Sequence, residues 1–364
     1  MIKSRLKRLR DLMSRNEIEA FVLLVDERAN SESCHYISGF RGSSAALIID
    51  LEREILITDG RYKTQSKNQS PFEIIIQSKI SLPQFIAEHV KNYKRVGFEA
   101  DKISHAMFTK YFEPVKIQWL DASKFIHELR RTKDPEEIKL IKQAAIIARK
   151  AYGNALKSVR AGMSEIEFDI ILNGEIKKLG AEKGWAHDDF IVASGFRSAM
   201  CHAPATMKKF EAGETVTIDY GAMYQGYMSD ITRNFSLGKP DKKALEINQI
   251  LLDAHHAAAD FLKPGISGSE VDQIARDIIT KAGYGENFLH GLGHGLGLEV
   301  HEAPRLSRTS DDILQAGDVV TIEPGIYIEG FGGLRIEDDY LITPEGHECL
   351  TVNDNQSIEI LDVL

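Results

Sequence analysis

Asp219 and Glu323 occupy the same position in two copies of one phrase, AGETVTIDYG from Ala212 to Gly221 and AGDVVTIEPG from Ala316 to Gly325. The two acids are 104 residues apart. A second similarity, SVRAGMSEIEFDI around Gly162 against FLKPGISGSEVDQI around Gly265, keeps nearly the same offset, so a half-domain is duplicated. Two copies related by an approximate two-fold bring equivalent acids face to face. Each acid also has a partner. TVTIDY alternates like a strand and YMSDITRNFSL returns after a short turn at Tyr224 and Gln225, which sets Asp219 opposite Asp230. VVTIEPGIYI pairs with LRIEDDYLI about Gly330, which opposes Glu323 to Glu337. Four carboxylates on facing hairpins repel one another, and burying each anion adds a desolvation cost; bound cations resolve both. The alternative, solvated acids on an exposed sheet face, leaves the duplication a coincidence.

A nitrogen ligand is offered by LHGLGHGLGLEVH, where His290, His294 and His301 alternate with glycines shortly before the second pair of acids. The glycines allow close backbone approach, yet GK[ST] and GxGxxG are both missing, so a phosphate-binding loop is a poor reading. Oxygen plus imidazole without thiolate suits two divalent ions chosen among Mn²⁺, Co²⁺, Zn²⁺ and Fe²⁺. Cys34, Cys201 and Cys349 are widely spaced and form no CxxC, which fits a reducing compartment and gives no zinc-finger or disulfide framework. Cys201 beside His202 raises the possibility of a thiol hydrolase, but no nucleophile elbow surrounds it and the acids would go unexplained.

The elements that must position these groups fall into two blocks. Up to about Asp121 the apolar runs AFVLLV, AALIID, EILITD, EIIIQ and RVGFE alternate with helical patterns, after an amphipathic first helix carrying Leu6, Leu9, Leu12 and Met13. This is an α/β domain over residues 1–125. The texture then changes. Asp134, Pro135 and Glu137 supply an N-cap, an N1 proline and an N3 acid, predicting a long helix towards Val159, and Ser164 with Glu167 and Ser267 with Glu270 cap one helix in each half of a domain over 126–364. A net charge of −9 argues against a sequence-independent grip on nucleic acid or an anionic membrane. No stretch approaches the ~18 uncharged apolar residues of a membrane span. A cytoplasmic protein acting on small molecules or peptides is expected.

The set IDYGAMYQGYMSDITR, HGLGHGLG, TIEPGIYI and RIEDDYLI resembles the pita-bread metallopeptidases, in the branch of prolidases (Xaa-Pro dipeptidases) and Xaa-Pro aminopeptidases. HYISGFRGSSAALII and TDGRY resemble the creatinase-type N-terminal domain of that branch. The resemblance implies an α+β fold, an internally duplicated pita-bread catalytic domain preceded by a smaller α/β domain. It also implies a dinuclear centre held by Asp219, Asp230, His294, Glu323 and Glu337, with Asp230 and Glu337 bridging the two ions and a water between them. Glu323 is then the proton acceptor as well as a ligand. His202 in CHAP and His301 in HEAP are similar to the family's histidines that contact substrate and the tetrahedral intermediate, though a turn histidine before Pro204 is the plainer reading of His202. His290 is a further contact, Arg335 orients ligand carboxylates, and Tyr327 stands where the family has a site tyrosine. Arg305 is a candidate for gripping a substrate carboxylate, against a solvated arginine. The expected substrates are peptides with proline second, and the expected assembly is a homodimer. The alternatives are a methionine-aminopeptidase-like or other pita-bread hydrolase, which usually lacks such an N-terminal domain, and an amidinohydrolase or silent binding protein on the same fold, in which metal ligands would be lost.

Overall fold

The structure is a computed structural model that describes residues 1–27, 29–77, 80–185, 190–351 and 356–362. It divides into two compact units, Met1–Arg130 and Arg131–Leu364.

The first unit is built on a mixed sheet of β1 (Ala20–Asp26), β2 (Ser44–Asp50), β3 (Glu54–Thr58), β4 (Glu73–Ile76), β5 (Arg95–Phe98) and β6 (Gln118–Asp121), ordered β4-β3-β2-β1-β5-β6. β2 runs antiparallel to β1 and β3, whereas β5 runs parallel to β1 and β6. The AFVLLV run forms the central strand, and its six residues are buried, as a strand covered on both faces must be. Around it lie α1 (Ile2–Arg15), α2 (Ser31–Ser38), α3 (Lys63–Gln69), α4 (Leu82–Val90), α5 (His105–Tyr111) and α6 (Ser123–Arg131). Leu6, Leu9 and Met13 of α1 are buried as their helical spacing predicts.

The second unit repeats one plan twice. In its first half α7 (Pro135–Leu156) and α8 (Glu165–Lys178) cover a sheet ordered β19-β11-β8-β7, from β7 (Ile191–Ser194), β8 (Thr215–Tyr220), β11 (Ile231–Leu237) and β19 (Glu359–Leu361). The short hairpin β9 (Met223–Tyr224) and β10 (Tyr227–Met228) joins β8 to β11. In the second half α9 (Lys242–Asp260) and α10 (Gly268–Lys281) cover β13-β12-β14-β17-β18, from β12 (Gly293–Gly295), β13 (Glu302–Leu306), β14 (Val319–Ile322), β17 (Asp338–Ile342) and β18 (His347–Cys349). The hairpin β15 (Gly325–Ile328) and β16 (Gly332–Arg335) corresponds to β9–β10. Each half has its own apolar core. The capping boxes at Asp134, Ser164 and Ser267 form as their sequences predict, α7 ending at Leu156. Ser164 bridges to Lys209 and Ser267 to Ile313, so each half ties its capped helix to the segment before its central strand.

The hairpin registers were only half foreseen. Ile322 opposes Asp338 and Gly325 opposes Arg335, as pairing about Gly330 requires. In the first half, however, Asp219 opposes Thr232, not Asp230. The turn is at Gln225–Gly226, both with positive φ (50° and 88°), as in a two-residue type I′ hairpin loop. The register is therefore displaced by two residues, and Asp230 lies just before β11.

Candidate metal centre

The acids meet along the seam where the two halves join. Thr232 of β11 bridges to Glu337 just before β17, Thr217 donates to the Gly333 carbonyl at 3.0 Å, and Asn234 donates to the Arg335 carbonyl at 2.7 Å. A buried charge pair crosses the same seam: Arg233 bonds Asp338 at 2.6 Å and also donates to the carbonyls of Thr232 and Glu337. Because the register slip in the first hairpin was two residues, not one, Asp219 and Asp230 keep the same facing.

Asp230, His294 and Glu337 place ligand atoms within 4.8 Å of one another. His294 Nε2 lies 3.7 Å from Asp230 Oδ2 and 3.3 Å from Glu323 Oε1. Its Nδ1 sits 3.1 Å from the Gly295 carbonyl, an arrangement that protonates Nδ1 and leaves Nε2 facing the acids. β12 reaches this position by running against β14 so closely that a Cβ on Gly293 would lie 2.1 Å from the Thr321 carbonyl oxygen, which explains the glycine. The acids are fixed too. Glu337 accepts from Thr232 Oγ1 at 2.7 Å, the Asp230 amide donates to Asp339 at 3.0 Å, the Glu323 amide donates to the Leu292 carbonyl at 2.8 Å, and Asp219 accepts a short bond from Arg335.

Without a cation this arrangement is electrostatically costly. Burial, then the charges of neighbouring carboxylates, push Asp230 and Glu337 well above the usual carboxylate range. Burial also raises Asp219, against the opposing pull of Arg335. Burial opposes ionisation of Glu323 as well, but the hydrogen bond and charge of His294 win and lower it to about 2. Asp219 Oδ1 and Asp230 Oδ1 are buried and have no hydrogen-bond partner among the described residues. Orphaned carboxylate oxygens, raised acids and an imidazole nitrogen aimed among them fit divalent cations.

The other residues singled out from the sequence surround this centre. The His301 ring lies 4.3 Å from that of His294, centroid to centroid. His290 Nε2 is 2.9 Å from the Tyr327 hydroxyl, which accepts from Arg335 Nη1 at 2.7 Å, and His290 Nδ1 is 4.0 Å from Glu323. His202 is exposed on the turn after Cys201, whose carbonyl accepts from Arg335; protonation of His290 is disfavoured first by burial, with the charges of Arg335 and His202 adding to it. Arg305 is the exposed cross-strand partner of His294 on β13. Sequence reasoning missed Thr232 and Asp339, which bond the Glu337 carboxylate and the Asp230 amide, and the Arg233–Asp338 pair beside them. A second group, Glu99, Asp101 and His127, lies in the first unit, but Glu99 already accepts from Asn30 and Ser33, and His127 pairs with Asp101 at 2.8 Å.

Residues 139–344 match metallopeptidase family M24, and residues 5–132 match the creatinase/prolidase N-terminal domain. The chain is 37% identical to the Xaa-Pro dipeptidase of Pyrococcus furiosus over 98% of its own length and 99% of that protein's. It superposes on the Xaa-Pro dipeptidase from Bacillus anthracis with a TM-score of 0.93 at 39% identity, covering 99% of this chain and 100% of that one. The X-Pro aminopeptidase from Thermotoga maritima gives 0.91 at 37%, covering 98% and 99%.

Proposed function

We infer, for a chain that belongs to metallopeptidase family M24 and is a metal-dependent hydrolase, that it cleaves Xaa-Pro bonds in dipeptides or at the N-terminus of longer peptides. The observation that carries this reading is the set of buried acids Asp219, Asp230 and Glu337 beside the half-buried His294 and Glu323, with two carboxylate oxygens left without a hydrogen-bond partner among the described residues. These five residues would hold two divalent ions, with Mn²⁺ or Co²⁺ favoured over Zn²⁺ or Fe²⁺ by an oxygen-rich donor set containing one imidazole. When bound, such ions acidify a water and polarise the scissile carbonyl. Glu323 is ionised at neutral pH, and the family resemblance together with its place beside His294 assigns it as the group that accepts a proton from the attacking water.

The leaving group sets the rest of the chemistry. A proline nitrogen in a peptide bond carries no hydrogen and must be protonated as the bond breaks, so a donor has to stand beside it. His301, packed on His294, and His202, on the turn whose Cys201 carbonyl accepts from Arg335, come from the two halves of the duplicated domain and are the groups to which we assign this role. Tyr327, Arg335 and His290 form a hydrogen-bonded chain that orients Asp219 and lines the substrate side. Arg305, exposed as the cross-strand partner of His294, is our candidate for meeting a substrate carboxylate.

The creatinase-type unit is assigned to homodimer formation and to covering the partner's active site, as the family resemblance implies. The protein is assigned to the cytoplasm, in keeping with three free cysteines; no helix among the described residues is long and apolar enough to cross a membrane. The deciding measurement is the rate on Ala-Pro, Ala-Pro-Ala and Ala-Ala with added Mn²⁺, Co²⁺ or Zn²⁺. Equal rates on Ala-Pro and Ala-Ala would overturn the proline-directed reading, and the ratio of the first two rates separates dipeptidase from aminopeptidase.

A further inference from the structure

The segment from Ser194 to Thr206, which carries His202, has little apolar material of its own to hold it. Its two largest apolar side chains, Phe196 and Met200, are 61% and 51% exposed. Besides the strand pairing of Ser194 with Val216 and the bridge of Pro204 to Ile191, one carboxylate gathers its two ends. Glu165, in the first turn of α8 and fully buried, accepts from the amide and hydroxyl of Ser194 at 2.9 and 2.8 Å and from the amide and hydroxyl of Thr206 at 2.9 and 2.7 Å. Arg197 Nε lies 3.3 and 3.1 Å from its two oxygens, and the same guanidinium donates to the Pro204 carbonyl at 2.7 Å. Both ends of the segment thus converge on a single buried anion. Its middle is pinned to the β15–β16 hairpin, where Gly333 donates to Ser198 Oγ at 2.8 Å and Arg335 to the Cys201 carbonyl at 3.3 Å.

The helix does not need this acid. α8 is capped by Ser164 and Glu167, and α10, its duplicate, is capped in the same way by Ser267 and Glu270. The position equivalent to Glu165 is Gly268, so an acid there is dispensable to the helix start. A buried carboxylate costs several kcal/mol unless fully satisfied, and every side chain and amide that satisfies this one comes from the His202 segment. The other two histidine segments are tied to buried or near-buried acids in a comparable way. Asp272 accepts the Leu292 amide while its partner Arg276 donates to the His290 carbonyl, and Glu302 accepts the Leu298 and Glu299 amides while pairing with Lys133.

We propose that Glu165, with Arg197, is a positioning residue for His202, setting where that imidazole stands against the scissile bond. This rests on the reading of His202 as a substrate-facing group. The test is a double-mutant cycle on the full-length, metal-loaded protein using Glu165→Gln, His202→Ala and His301→Ala, with hydrogen exchange of the segment as a readout independent of activity. Glu165→Gln keeps the volume but turns a donor towards groups that themselves donate. It is expected to lower kcat roughly 10–100-fold, the range for loss of a group that orients a functional side chain, with KM and bound metal little changed. Added to His202→Ala it should cost almost nothing more; added to His301→Ala the losses should multiply. Amides of residues 195–205 should exchange at least about tenfold faster while those of 290–301 stay protected.

Losses that multiply equally with both histidines, or unchanged exchange of 195–205, overturn the proposal. Normal turnover in His202→Ala instead refutes the functional reading of that histidine and with it the catalytic consequence of the clamp; the exchange result then decides whether Glu165 holds the segment at all. Thr206→Val, which removes one hydroxyl donor and leaves the carboxylate in place, carries the same cycle if Glu165→Gln does not fold.

Discussion

Removing divalent cations should destabilise the Arg131–Leu364 unit, and the loss should grow with pH. In the metal-free protein burial and mutual repulsion raise Asp230 and Glu337 well above the carboxylate range, and Asp219 is raised by burial. An acid with a raised folded pKa contributes stability that is fully present below its unfolded value, ~4, and is lost progressively as pH rises from there through the folded value. The raised His294 acts in the same direction, its contribution being lost as pH rises above the ordinary histidine range. The apo protein therefore weakens between about pH 4 and the alkaline side of neutrality. Bound cations reverse this, and because they bind deprotonated ligands their contribution also fades in acid. At a free metal concentration a hundredfold above Kd, one ion adds ~2.7 kcal/mol. For a domain of ~150–250 residues, 1 kcal/mol is worth about 2–4 °C in Tm, so each ion is worth on the order of 5–11 °C. Scanning calorimetry with and without chelator, from pH 5.5 to 8.5, reads this directly. A chelator-induced shift that is absent at pH 8, or that shrinks as pH rises, would refute the reasoning.

Asp219→Asn, His294→Ala and Glu323→Gln should each abolish peptidase activity with the fold retained, and metal analysis should fall from about two ions per chain to one or fewer; a fully active Glu323→Gln enzyme would sink the assignment. His202→Ala and His301→Ala should lower kcat on the order of 10²-fold with metal content unchanged, whereas His127→Ala and His256→Ala, whose rings pair with Asp101 and Gln356, should change kcat little. Breaking the buried Arg233–Asp338 pair by Asp338→Asn leaves an uncompensated guanidinium and should cost ~3–5 kcal/mol in a urea titration; a midpoint equal to wild type would show that the seam does not depend on it.

The metal-centre candidates were legible because their chemistry restricts residue type and the duplication supplies a second copy against which to check each position. Asp219 and Glu323 could be equated before any strand was placed. Glu337 followed from a hairpin symmetric about Gly330, a register the structure keeps on both sides of the acid pair. Asp230 was found through a misplaced turn: Gln225–Gly226 closes the loop, and Gln at positive φ is not the Asn-Gly or Asp-Gly signal that marks such turns. Asp230 still shares a face with Asp219 because strand faces repeat every two residues, so a slip of two preserves which acids share a face while a slip of one would have turned Asp230 away. The groups that hold the site left no comparable trace. Arg233 and Asp338 meet across the seam from positions more than a hundred residues apart, and nothing in either local sequence distinguishes them from solvated charges. Glu165 is harder still, since it follows a well-formed cap and reads as one more acid favoured by the helix N-terminus. Only the duplicate reveals it: once Gly268 is seen in the equivalent place, an acid at 165 must answer to something other than the helix, and its five bonded groups all belong to the segment that carries His202.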